Sequence, residues 1–203
     1  MKHLVQRQLA QSIATLEAVL ADEAIADTIL TIGELTAQAM HSGHKLLVAG
    51  NGGSAADAQH LVAEFVVRLT VNRPALRAIA LTTDSSILTA AGNDYGFDRL
   101  FERQIEALGQ PGDVFLGIST SGNSPNILKA LHQARKQNLA TIGFSGNDGG
   151  KMRSLCDHNV IVPSNVTMNI QESHLALEHI FCMVVERCLF GMDFDTKPQI
   201  LSE

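Results

Sequence analysis

Imidazole, carboxylate and carboxamide side chains recur at helical spacing in two parts of this sequence. His60 and Glu64 stand four apart, so on a helix they share one face, and Arg68 continues the stripe. Near the C-terminus Gln171, Glu172, His174, Glu178 and His179 crowd a second stretch. Each histidine alone reads as a hydrogen-bonded structural residue, and His60/Glu64 alone as a solvated helix pair. Together they supply a borderline-soft donor set suited to Zn²⁺. His3, His41, His44, His132 and His158 fall in terminal, loop or surface-like contexts and receive no role.

Two other segments suit a phosphate ester. Gly50-Asn51-Gly52-Gly53-Ser54 and Ser119-Thr120-Ser121-Gly122-Asn123-Ser124-Pro125 each follow an apolar run and open a helical pattern. Free amides at a helix start, joined by hydroxyls, bind anionic oxygens. The second segment carries hydroxyls at Ser119, Thr120, Ser121 and Ser124. Ser124 is expected to cap the helix begun by Pro125, and Ser54 with Asp57 to form a capping box. Ordinary capping explains either segment singly, whereas two of them after different strands of one sheet point to a phosphate or sugar-phosphate site. Neither segment has the GK[ST] ending of a P-loop or the GxGxxG of a dinucleotide site, so nucleotide hydrolysis and nicotinamide binding lose ground.

The elements that position these residues follow from apolar periodicity. Spacings of three and four from Leu9 to Ala39 give two amphipathic helices, broken near 21–26. Five short apolar runs follow, at 45–50, 77–83, 113–120, 140–146 and 158–163. Most are apolar on consecutive residues, as in strands covered on both faces. Helical patterns separate them at 54–69, 86–91, 97–108, 124–137 and 149–156, and a last helix spans about 168–189. This alternation predicts a parallel sheet with right-handed crossovers in a three-layer α/β sandwich. One domain over 1–203 is expected: a helical segment to about 43, a sheet core to about 165, the last helix, and a loose tail at 191–203. That last helix is apolar nearly all round, which predicts burial on several sides and a homo-oligomer interface.

Composition narrows the function further. The 203 residues carry 21 acidic and 15 basic side chains, a formal net charge of −6, with no run of Lys or Arg beyond two. Affinity for nucleic acid or an anionic membrane is drawn from clustered cations, so neither partner is expected. No apolar stretch approaches the roughly 20 residues of a membrane span, and the N-terminus has no signal-peptide core. Cys156, Cys182 and Cys188, without a CxxC, read as reduced thiols of a cytoplasmic protein.

The chain resembles the sugar isomerase (SIS) domain family, and within it the phosphoheptose isomerases. The resemblance is carried by GNGGSAADAQHLVAEF (50–65), LTTDSS (81–86), GNDYGF (92–97), GDVFLGISTSGNS (112–124), GNDGGKM (146–152) and IQESHLALEH (170–179), in order over nearly the whole chain. It implies a flavodoxin-like five-stranded parallel sheet and a homotetramer with active sites near subunit interfaces. It also implies conversion of sedoheptulose 7-phosphate to D-glycero-D-manno-heptose 7-phosphate for lipopolysaccharide or other surface glycans. Asn51, Gly52, Gly53, Ser54, Glu64, Asn93, Asp94, Ser119, Thr120, Ser121, Ser124 and Gln171 then match substrate contacts. His60, Glu64, Gln171 and His179 match the ligands of one Zn²⁺ per subunit, with Glu64 and His179 the acid–base pair. Relatives often carry Arg where this chain has Asn169. The competing reading is a non-catalytic SIS-domain sugar-phosphate-binding or replication-initiator-associated protein; that branch lacks the Glu and the final His present here.

Overall fold

A computed structural model describes residues 1–191; the expected tail at 191–203 otherwise lies outside the described residues. Helices α1 (Lys2–Ala21) and α2 (Glu23–His41) come first, parted by Asp22, whose side chain accepts from the Ala24 amide. Then follow β1 (Leu46–Gly50), α3 (Gly53–Val66), β2 (Ala78–Ala80), α4 (Ser85–Tyr95), α5 (Leu100–Leu108), β3 (Val114–Ser119), α6 (Pro125–Lys136), β4 (Ala140–Gly146), β5 (His158–Val162) and α7 (Thr167–Phe190). All strand pairs are parallel, in the order β2-β1-β3-β4-β5. This is the expected flavodoxin-like sandwich.

The consecutive apolar residues of the strands serve both faces. Leu46 and Val48 of β1 and Val114, Leu116 and Ile118 of β3 join a core with α2, α3 and α7. Leu47, Ala49 and Phe115 join a second core with α4, α5 and α6. Each strand therefore needs apolar side chains at successive positions, which is why alternation is absent.

Several boundaries differ from expectation for local reasons. β2, an edge strand, keeps only three residues, and beyond it Thr83 Oγ1 turns back onto the Ala80 carbonyl at 3.2 Å. α4 runs longer, from the Asp84 cap on Ile87 N to Gly96 at φ +82°. The 149–156 helix is a 3₁₀ turn, Gly150–Ser154, entered through Gly149 and Gly150 at positive φ. α3 stops at Val66, so Arg68 lies past its end, exposed, and does not continue the His60/Glu64 stripe.

α7 is packed by α2, α3, α1 and the sheet. Gly33 allows α2 to approach closely, since a Cβ there would overlap Val184. His174 and Glu178, one turn apart, are fully buried and belong to the structure of this helix, not to an exposed site. His174 Nε2 lies 3.0 Å from the Ser145 carbonyl, and Nδ1 has no hydrogen-bond partner among the described residues. Burial pulls its pKa down to about 4, against partial support from that carbonyl for the charged form. Burial pushes the Glu178 carboxyl well up, and nearby Asp57 adds to this. For His174 the folded pKa is the lower one, so its contribution is present above about pH 6.5 and is lost as pH falls toward 4. The stability advantage of wild type over His174→Gln should shrink by about 2 kcal/mol between pH 7 and pH 5, measured by urea unfolding. A gap independent of pH would show that His174 is not held neutral.

Candidate functional site

The sheet order fixes where a ligand fits. The chain leaves β1 toward β2 on one side, then returns to the other side of β1 as β3. Where strand order reverses, the crevice beyond the carboxyl ends of neighbouring strands is open. Gly50 pairs in register with Ile118, so the loop at Asn51 and the loop at Ser119 emerge side by side.

The first loop turns at Gly52, whose φ of +58° favours glycine, and α3 begins at Gly53. The expected Ser54/Asp57 capping box is absent. α3 starts one residue early, Ser54 is buried within its first turn, and no side chain caps the helix. Asp57 leaves Oδ2 buried without a partner among the described residues, and burial raises its pKa, offset by His60. In the second loop, Ser124 stands before Pro125 as expected but makes no cap bond. Its hydroxyl lies 2.9 Å from Ser119 Oγ, which is 3.4 Å from Ser121 Oγ. Ser121 Oγ also accepts from Asn123 N at 3.2 Å. Three hydroxyls are thus gathered in front of the start of α6, with Thr120 half-buried among them. Pro125 has no N–H, and the Ile127 and Leu128 amides bond to Asn126 Oδ1 and the Ser124 carbonyl, which leaves the Asn126 backbone amide to face them. That arrangement suits an anionic oxygen cluster.

Sequence reasoning missed Asn126. Its amide donates to Asn51 Oδ1 at 2.8 Å and accepts from Asn51 Nδ2 at 2.9 Å, a reciprocal clasp joining the two loops. The Asn51 side chain is therefore engaged within the protein. A polar residue at the second position of a helix signals only capping, so the clasp has no signature in sequence. Beside it, Gly50, Asn51, Gly52, Ala55, Thr82 and Phe97 help line a cavity of about 140 Å³.

Asn93 and Asp94 sit on the last turn of α4, exposed and bonded to each other at 2.7 Å. Asp94 lines a separate groove with Tyr95 and Arg103 and does not line the loop cavity. Asn169 is buried and turned to α1: its Oδ1 accepts from Gln8 at 3.0 Å and its amide reaches Thr15 Oγ1 at 3.4 Å. Asn169 is thus a helix-packing contact.

The histidines meet between α3 and α7. His60 Nε2 lies 2.9 Å from His179 Nε2 and 3.5 Å from Glu64 Oε1. One ligating atom from each of the three falls within 4.8 Å of the other two. Tetrahedral Zn²⁺ with bonds of about 2.0–2.1 Å places neighbouring ligand atoms roughly 3.3 Å apart. The observed spacings bracket that value, so these residues fit such an ion, with a further coordination position open.

Gln171 stands on α7 eight residues before His179. It lies against Gly53, where a Cβ would strike its amide. α3 and α7 run parallel from that contact. At 1.5 Å per residue, His60 is about 10 Å further along α3 and His179 about 12 Å further along α7.

A family model described as SIS domain matches residues 9–146. A phosphoheptose isomerase of Burkholderia pseudomallei is 51% identical over 187 residues, which cover 92% of this chain and 95% of the relative. One from Aneurinibacillus thermoaerophilus is 48% identical over 194 residues, 96% of this chain and 98% of that protein. The solved structure of a Neisseria gonorrhoeae phosphoheptose isomerase aligns with a TM-score of 0.86 at 40% identity, covering 91% of this chain and 98% of that one.

The loop geometry makes a direct prediction. Replacing Ser119 and Ser121 together by Ala should weaken sugar-phosphate binding about 10- to 100-fold, as expected for lost hydrogen bonds to a charged group. The melting temperature should move by only a few degrees. Calorimetric titration that finds unchanged affinity would remove the hydroxyl cluster from phosphate recognition.

Proposed function

Because this chain belongs to the SIS-domain family, and within it to the phosphoheptose isomerases, we propose that it converts sedoheptulose 7-phosphate to D-glycero-D-manno-heptose 7-phosphate. The observation that carries the reading is the convergence of His60, Glu64 and His179 within 4.8 Å. It is an aldose–ketose isomerase, and such a reaction moves a proton between C1 and C2 through an enediol. A base must take a carbon-bound proton, and a second group must move protons at the oxygens.

Glu64 is the base of this proposal and His179 the group that exchanges protons with the substrate oxygens, each worth typically 10²- to 10⁴-fold. His60, Glu64 and His179 would hold Zn²⁺, which when bound supplies Lewis-acid stabilisation of the developing oxyanion. A carboxylate oxygen given to a cation is a weaker base, so the proton-accepting role falls to the second oxygen of Glu64. Ser119, Thr120, Ser121 and Ser124, with the Asn126 backbone amide at the start of α6, take the phosphate. Gly52, Gly53, Ser54 and Gln171 line the approach to the first loop, with Asn51 contributing through its backbone.

The assembly we propose is a homotetramer with its sites at subunit boundaries. Leu4, Leu9, Ile13, Leu16 and Leu20 of α1 are exposed, as is Ile180 of α7. Leu16, Leu20, Ile29, Leu30, Leu177 and Ile180 help line an apolar groove of about 380 Å³. Such a face is stabilised by a second copy. The separation of Asn93 and Asp94 from the loop cavity supports a site that draws on a neighbouring copy. The free thiols Cys156, Cys182 and Cys188 accord with the cytoplasm, where we place the reaction, upstream of a surface glycan.

The deciding experiment incubates metal-replete protein with sedoheptulose 7-phosphate in D₂O and follows the product by NMR. The aldoheptose 7-phosphate should appear, cease with a chelator and return with Zn²⁺. Glu64→Gln and His179→Gln should each lower kcat by at least about 100-fold while the fold and assembly persist. A Glu64→Gln enzyme of near-normal rate would remove Glu64 from the mechanism. No turnover by folded, Zn²⁺-loaded protein would overturn the substrate assignment.

A further inference from the structure

The C-terminal end of α3 is held by a buried ion pair whose arrangement exceeds what stability requires. The last carbonyls of a helix have no partner within it. Arg73, in the loop that follows, donates from Nη2 to the Glu64 carbonyl at 2.7 Å and from Nη1 to the Phe65 carbonyl at 2.8 Å. Nη1 also reaches its neighbour Pro74 O at 3.1 Å. Its Nε donates to Glu186 Oε1 at 2.6 Å, and Thr70 Oγ1 lies 3.4 Å from Glu186 Oε2. The two charged side chains are 1% and 0% exposed.

Glu186 stands on α7 seven residues beyond His179, two turns along the same face. Glu64, whose carbonyl Arg73 holds, belongs to the cluster itself. Between pair and cluster, Phe65 and Phe181 stack edge-on with centroids 5.6 Å apart. One guanidinium therefore ties the end of the helix bearing His60 and Glu64 to the helix bearing His179. A fully buried ion pair is seldom more stable than apolar side chains of similar volume, so stability alone does not account for it. Its planar fork does something apolar packing cannot: it fixes direction along two axes at once.

We propose that Arg73 and Glu186 are positioning residues that set the register of α3 against α7, and so hold His60 and Glu64 at metal-binding and proton-transfer distance from His179. The kinetic part rests on the isomerase reading; the metal part does not.

The test uses the full chain in its native assembly, in three forms: wild type, Arg73→Met combined with Glu186→Leu, and Arg73→Lys. Zn²⁺ affinity is measured by competition with a chromophoric chelator, beside kcat, KM and melting temperature. The double variant should melt within a few degrees of wild type, yet bind Zn²⁺ about 10- to 100-fold more weakly, the usual effect of losing support behind metal ligands. Its kcat should fall by at least about 10-fold with KM little changed, since the phosphate loops lie at the other end of α3. Arg73→Lys keeps the charge without the fork and should move in the same direction by less.

Wild-type Zn²⁺ affinity and kcat in the folded double variant would overturn the proposal. So would losses that merely track a fall in melting temperature. Should the double variant fail to fold, Arg73→Lys decides: native melting with weakened Zn²⁺ binding supports the proposal, and wild-type binding and kcat overturn it. Wild-type protein without turnover but with altered Zn²⁺ affinity in the variants would sink the isomerase reading and leave the positioning role standing. Wild-type protein with no measurable Zn²⁺ affinity would overturn the metal assignment and the positioning role together.

Discussion

The seating of α3 on α7 is the contact on which the site depends. α3 carries His60 and Glu64, α7 carries His179, and neither helix alone brings more than two of these groups together. Ala58, Leu61 and Phe65 press α3 into the same core that receives Leu177, Phe181 and Val185 of α7. At one end, the absence of a side chain on Gly53 lets Gln171 lie against the backbone. At the other, the Arg73–Glu186 pair closes the contact. Between them two imidazole nitrogens face each other at 2.9 Å, a distance that calls for a shared proton or a cation between them.

The second constraint is the reversal of strand order at β1. It brings two loops, far apart in sequence, to one crevice, and the Asn51–Asn126 clasp locks them there. Neither loop contains Lys or Arg. In the proposed function, recognition of a phosphate by a chain of net charge −6 falls to hydroxyls and to the partial positive charge of a helix start. Repulsion from the distant carboxylates is screened over about 8 Å at physiological salt, so such a local site can work on an acidic protein.

Burial also sorts the crowded polar residues of α7. Four of them lie within nine positions, 171 to 179, yet they do different things. His179 reaches α3, Gln171 reaches the first loop, and His174 and Glu178 point into the protein where water cannot solvate a charge. Burial holds both toward their neutral forms, which suits a packed layer between sheet and helix.

The amino-acid sequence by itself determined the class of fold, because short apolar runs bounded by turn residues and alternating with helical patterns fit strands covered on both faces of a parallel sheet. It also placed the hydroxyl-rich and glycine-rich loops at helix starts, since that chemistry is local. Its family resemblance named His60, Glu64 and His179, whose mutual contact the structure displays. What a sequence could not decide were relations across the chain. The clasp of Asn126 on Asn51, the fork of Arg73 on α3 and α7, and the turning of Asn169 to α1 all follow from packing. In each case the residue's type permits several partners, and only the tertiary arrangement of helices on the sheet selects one.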